Sequence, residues 1–256
     1  MLYKKVFGIT TAALLLTAAC GGGEEKAEAP TEKAATQYVT VDPATAATVT
    51  GKVTFEGTAP KAPPINMSAE PDCSKLHSGP VQPDIVAIGA GGALQNVFVW
   101  VKAGLEGKAF QPSTTPAVLD QKGCIYTPHV LALQKGQPLQ VTNDDPLTHN
   151  VHPLPKVNPE WNKSQTPGAP AIDYQFPRQE IMLPVKCNIH PWMRAYISVV
   201  DHPFFAVTGA DGTFTVKGLP PGTYTVEAVH EELGAKEMSV TLADAGSATA
   251  DFVFTK

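Results

Sequence analysis

The 256-residue chain carries 24 Asp and Glu against 19 Lys and Arg, a formal net charge of −5, and 43% of it is apolar. The acidic balance argues against nucleic-acid binding, which needs basic patches, and the apolar fraction is ample for a packed core in one or two domains. With 24 Pro, 21 Gly and no long helical period, the sequence predicts many turns and an all-β fold.

Lys4 and Lys5 precede an apolar run from Val6 to Ala19, too short to span a bilayer, so residues 1–20 read as a signal peptide. The run ends in "LLLTAAC" followed by "GGG", which resembles a bacterial lipoprotein cleavage site. That resemblance implies that Cys20 becomes a lipid-bearing N-terminus anchoring the protein to a membrane of the bacterial cell envelope. Gly21 in the next position resembles outer-membrane sorting and implies a periplasm-facing protein; an ordinary secreted protein cleaved nearby is the alternative. Loss of Lys4 and Lys5 leaves 24 acids against 17 bases, which also argues against docking of the folded part on anionic lipid. The compartment is oxidising, so disulfides are permitted. Residues 21–47 are small, charged and Pro-bearing and read as a flexible linker.

Order begins at "ATVTGKVTFEG", where Val49, Gly51, Val53 and Phe55 alternate with polar residues as in a strand. "LQNVFVWVKAG" predicts a second strand, with Val97, Val99 and Val101 on one face and Phe98 and Trp100 on the other. Near the C-terminus, Phe214 and Val216 and then Tyr224, Val226 and Ala228 alternate on either side of the Leu219-Pro220-Pro221-Gly222 turn. "DGTFTVKGLPPGTYTV" resembles the transthyretin-like, carboxypeptidase-regulatory β-sandwich, and "GKVTFEGTAP" resembles its first strand. The resemblance implies a smaller sandwich split into residues 48–111 and 204–256, with residues 112–203 inserted between its halves. A tandem of two sandwiches is the alternative arrangement.

Within the insert, Val130 to Leu133 and "LQVTN" read as strands joined by the "QKGQP" turn, and the following loop carries His149. Residues 153–171, rich in Pro, Asn and Gly, read as a surface loop containing Trp161. "EIMLPVKC" and "YISVV" are further strands flanking "CNIHPWM". A copper ion cycling between its two oxidation states favours one soft thiolate, two imidazoles and a weak axial thioether. Cys187, His190 and Met193, three residues apart, supply three of these; His149, 38 residues upstream of Cys187, is a suitable second imidazole.

"CNIHPWMRAYISVV" resembles the copper loop of the cupredoxins, amicyanin in particular, in its Cys-x-x-His-x-x-Met spacing and the Pro after the His. "THNVH" resembles the upstream His loop of the same family, and the likeness spans about residues 118–200. It implies a Greek-key β-sandwich holding one type 1 copper on His149, Cys187, His190 and Met193. It also implies that the Asn150 side chain ties the two ligand loops together, although an Asn satisfying its own turn is an alternative reading. Pro191 would stiffen the ligand loop. With Cys20 lipidated and Cys187 on the metal, Cys73 and Cys124 remain to form a disulfide; the rival is a second metal site at Cys73 and His77. Of the other histidines, His152 reads as surface polarity ahead of partner docking or a second weak site, and His129, His202 and His230 as structural.

Catalytic motifs such as His-Glu-x-x-His or Gly-x-Ser-x-Gly are absent from the sequence, and copper enzymes of this family need further copper sites, so the expectation is a carrier and not an enzyme. The reading is an envelope-anchored type 1 copper protein that passes single electrons to a redox partner protein. The alternatives are a periplasmic copper-handling protein and a metal-free interaction module.

Overall fold

The computed structural model describes residues 36–256; the residues read as a signal peptide, Cys20, and the expected linker as far as residue 35 lie outside the described residues. Strand β1 (Ala47–Glu56) leads through a long connection, with one α-helical turn, α1 (Pro71–Ser74), and a short 3-10 turn (Ala90–Gly92), to β2 (Phe98–Ala103). The next group is β3 (Ala117–Gln121), β4 (Tyr126–Thr127), β5 (Val130–Gln134), β6 (Leu139–Asn143), β7 (His149–Pro153), β8 (Lys163–Gln165), β9 (Ile172–Tyr174), β10 (Glu180–Lys186) and β11 (Arg194–Val200). The last group is β12 (Phe205–Val207), β13 (Thr213–Leu219), β14 (Gly222–His230), β15 (Gly234–Leu242), β16 (Ser247–Thr249) and β17 (Phe252–Thr255). Among the described residues no helix is long and apolar enough to cross a membrane.

The described residues are all-β and form four sheets. β1 pairs with β13, β16 and β17, and a second sheet runs β12-β2-β14-β15, so strands from both ends of the described chain share these two sheets. The strands between them build the other two, ordered β5-β11-β10-β7-β8 and β4-β3-β6-β9.

Alternation along the strands explains how the sheets stack. In β2, Val99 and Val101 join Val49, Val53, Phe55, Phe214, Val216, Tyr224, Val226 and Ala228 in one core. Phe98 and Trp100, on the opposite face, pack with Val130 and Val200 and against Tyr196. This second layer glues the β2 sheet to the outer face of the β5–β11 sheet. The inner face of β11, Ala195, Ile197 and Val199, packs with Leu119, Leu133, Leu139, Val141, Leu183 and Val185 in a third core. Burying both faces of two central sheets accounts for the nearly continuous apolar runs "VFVWV" and "YISVV".

Gly51 shows how closely β1 is approached. A Cβ there would lie 1.9 Å from the Ala250 carbonyl oxygen and 2.7 Å from the Phe214 ring.

Three details depart from the sequence reading. His149 is the first residue of β7 and not part of the preceding loop. Residues 153–171 are not loop throughout: β8 pairs with β7, Gln165 is buried, and Trp161 packs on Tyr174 with ring centroids 5.0 Å apart. In the β1–β2 connection, Met67 and Cys73 turn into the core of the β10–β11 sandwich and not into that of their own flanking strands. An apolar side chain in a long connection follows whichever sheet the chain crosses, which local sequence does not encode.

Candidate metal centre

The loop between β10 and β11 is a tight ring. Met193 N–H donates to the His190 carbonyl (3.0 Å) and Cys187 N–H to the Met193 carbonyl (3.2 Å). This turns Cys187 and His190 inward towards the start of β7. The Nδ1 atoms of His149 and His190 face each other at 2.9 Å, and Cys187 Sγ lies 3.8 Å from His190 Nδ1. Ligand atoms of His149, Cys187 and His190 all fall within 4.8 Å of one another. Cys187 is the free cysteine among the described residues, since Cys73 and Cys124 are joined in a disulfide. Met193 is fully buried in the same core as Cys187.

Burial pushes the Cys187 thiol up, but His149 and backbone N–H groups, from Asn150 (3.5 Å), His190 (3.4 Å) and Ile189, outweigh it and hold the group below the ordinary thiol range. At His149 burial opposes the charge; Cys187 and then Asp145 overcome it and raise the pKa. His190 is lowered, by burial first and then by the neighbouring His149. The shifts at Cys187 and His149 both favour the charged forms, and a cation at this point would meet one sulphur and two imidazole nitrogens.

Asn150 joins the two ligand-bearing segments. Its Oδ1 accepts the Asn188 N–H at 2.6 Å and lies 3.3 Å from Cys187 Sγ, its Nδ2 donates to Asn162, and its carbonyl accepts the Tyr126 hydroxyl at 2.6 Å. Pro191 is exposed on the loop, and the Trp192 indole N–H beside it donates to the Cys124 carbonyl at 3.0 Å. The disulfide is therefore tied to the loop it neighbours.

Sequence reasoning missed Asp145. This buried carboxylate accepts the N–H groups of Gly123 (2.6 Å) and Cys124 (2.7 Å) and faces His149 Nε2 at 2.8 Å. It leaves Nδ1 as the free lone pair and fixes the ring, as carboxylates behind metal-binding histidines do. The signal was hidden in "TNDDPLTHN", where Asn, Asp and Pro spell a turn. The turn is real: Asn143 Oδ1 accepts the Asp145 N–H, and its Nδ2 donates to the Leu147 and Gln165 carbonyls. His77, by contrast, bonds the Gly123 carbonyl at 2.7 Å, and the described residues place no ligand cluster around it. His129 meets Glu231 at 2.7 Å, and His202 lies 2.8 Å from the Val101 carbonyl.

The donor set fits copper. One soft sulphur, two imidazole nitrogens, a thioether buried alongside and no free carboxylate make a poor site for a hard cation and a suitable one for a metal that alternates between soft and borderline states.

Comparison with known proteins finds partial similarities. The carboxypeptidase regulatory-like domain family matches residues 190–255, a span that contains β11 to β17. No curated protein matches the chain. Among solved structures, similarity is low throughout. A copper-containing nitrite reductase from Thermus scotoductus SA-01 is 19% identical with a TM-score of 0.31; the match takes in 38% of this chain and 24% of that enzyme, about a quarter of its length. A purple cupredoxin from Nitrosopumilus maritimus is 19% identical at a TM-score of 0.28, covering 32% of this chain and 98% of that protein. An amicyanin variant in its reduced Cu(I) form is 19% identical at 0.29, with 40% and 97% covered.

Proposed function

We propose that this is a type 1 copper protein of the cupredoxin kind, anchored in a bacterial cell envelope through Cys20 and carrying single electrons for a partner protein. The observation that carries the reading is the convergence of one unpaired buried thiol with two buried imidazole Nδ1 atoms. The remaining cysteines of the described chain are locked together. Cys187, His149, His190 and Met193 would hold the metal. Bound copper would supply a one-electron couple.

The chain's own part is rigidity. Asp145 fixes the His149 ring, Asn150 pins the Cys187 loop to β7, and the backbone N–H groups at Cys187 Sγ keep the thiolate in place. A preformed, buried donor set changes little as the charge at its centre changes, which suits electron transfer. The same closure favours a carrier over a copper-delivery protein, because no ligand is more than 2% exposed to a receiving protein.

The test is a titration with Cu(II) followed by visible absorption, beside a Cys187→Ser variant. An intense thiolate-to-copper band saturating at one equivalent, absent from the variant, is expected. A folded wild type that develops no such band would overturn the reading.

A further inference from the structure

An electron must reach the surface from residues that are all enclosed. His149 and Met193 are fully buried, and Cys187 and His190 are each 2% exposed. The His190 side is closed by the Cys73–Cys124 disulfide, whose sulphur atoms lie within 4.8 Å of its ring nitrogen, and by the Trp192 ring at 5.4 Å. Cys187, its side chain turned into the core and 2% exposed, borders a surface groove of about 540 Å³ beside Lys186, Asn188, Arg194, Tyr196 and Leu154; the two imidazoles and Met193 do not border it.

The strand register gives this groove its charge. Lys186 lies directly opposite Arg194 across β10–β11, and directly opposite His152 across β10–β7. Opposed residues in an antiparallel pair share a face, so His152, Lys186 and Arg194 cross the sheet in one row. Lys186 and Arg194 are like charges directly opposite each other, which is destabilising. His152 is offset by Glu160 at 2.6 Å, but neither Lys186 nor Arg194 has an ion-pair partner among the described residues. The neighbouring sandwich covers this same outer face at Tyr196, Val130 and Val200 but leaves the Lys186–Arg194 end open. In a chain of net charge −5, Lys186 and Arg194 put two cations side by side next to a candidate copper ligand, although Arg194 also borders the pocket that holds Asp84, Glu231 and Glu232.

We propose that this groove docks the acidic face of a redox partner protein, which exchanges one electron with the centre through Cys187, the partner losing the electron the centre gains or the reverse. The electron step rests on the copper reading above; the anion docking does not. Across the ridge of Pro191, Arg194 and Tyr196 lies a second pocket, of about 240 Å³, with the opposite lining of Asp84, Glu231 and Glu232. It would suit a basic partner and is the competing surface.

The experiment uses the full chain in detergent with two readouts. In the metal-free protein, hexacyanochromate(III) serves as a paramagnetic anion probe, and amide resonances around Lys186, Asn188 and Arg194 should broaden. Lys186→Glu with Arg194→Glu should abolish the broadening; Asp84→Lys with Glu232→Lys should leave it in place. In the copper-loaded protein, the same Lys186 and Arg194 reversal should slow electron exchange with hexacyanoferrate(III) by about tenfold at low ionic strength and speed exchange with the cationic tris(phenanthroline)cobalt(III). Near-UV circular dichroism checks the fold, and Lys186→Gln with Arg194→Gln should give an intermediate effect. Broadening elsewhere, or rates that respond to Asp84 and Glu232 instead, would overturn the proposal. A localised probe with no copper band would sink the copper reading while supporting the anion site.

Discussion

Replacing Asp145 by Asn removes one charge from a buried site without changing its shape. The carboxylate is 5% exposed; Oδ1 takes the Gly123 N–H, and Oδ2 takes the Cys124 N–H and faces His149 Nε2. Each such charge-assisted bond contributes about 1.5–3 kcal/mol. An amide keeps one acceptor oxygen. Turned towards Cys124 and His149, it sets its NH₂ against the Gly123 N–H; turned the other way, it abandons two donors. At least one bond is lost and one buried N–H is orphaned, so the cost is about 2–3 kcal/mol. For a domain of this size that lowers Tm by roughly 5–10 °C. Because Asp145 also orients the His149 ring, copper affinity should fall about 10- to 100-fold. The assay is thermal unfolding of the metal-free protein followed by competition with a copper chelator. Asp144→Asn is the control, since its side chain is 58% exposed and its replacement should stay within about 0.5 kcal/mol. Equal melting temperatures for the two variants would refute the argument that Asp145 is a buried anchor.

The remaining predictions follow from other parts of the fold. Removing the disulfide with Cys73→Ala and Cys124→Ala frees a loop with a sequence separation of 51, which chain entropy values at about 4 kcal/mol; a loss below about 1 kcal/mol in denaturant unfolding would mean that the other contacts of the connection already hold it. Gly51→Ala drives a methyl group into the Ala250 carbonyl and the Phe214 ring and should cost roughly 2–3 kcal/mol by overpacking, measured by the same unfolding curve; an unchanged midpoint would contradict the close approach of β1. Burial, and then the charge of His129, lower the pKa of His230 to about 4, whereas in the unfolded chain it stays near ~6.5. The unfolded state therefore takes up the proton first, and stability falls as pH drops from about 6.5 towards 4, by about 3 kcal/mol for this group. His230→Gln should flatten that part of the stability–pH curve, and parallel curves for wild type and variant would refute the assignment.

Much of the architecture was written locally. Two-residue periodicity marked β2, β13 and β14, and it sorted Val99 and Val101 from Phe98 and Trp100 onto the faces they occupy. The turn chemistry of "LPPG" marked where β13 ends and β14 begins, because such turns depend on a few adjacent residues, but the two strands enter different sheets and form no hairpin. The spacing of Cys187, His190 and Met193 was legible for the same reason: a short loop brings its own residues together whatever surrounds it.

Contacts between distant segments were not legible. Asp145 looked like a turn residue, and only the fold shows it buried against Gly123 and Cys124 and behind His149. Trp161 and Gln165 looked like loop, since a short edge strand such as β8 carries too few residues to show a period. The row of His152, Lys186 and Arg194 depends on the register of three strands, which no single segment specifies. The sequence by itself determined the strands, their turns and the donor atoms on one short loop, because those follow from neighbours along the chain. Tertiary structure alone decided what closes over His190, what steadies His149 and where Cys187 meets the surface, because each is a contact between residues far apart in sequence, set by how four sheets stack.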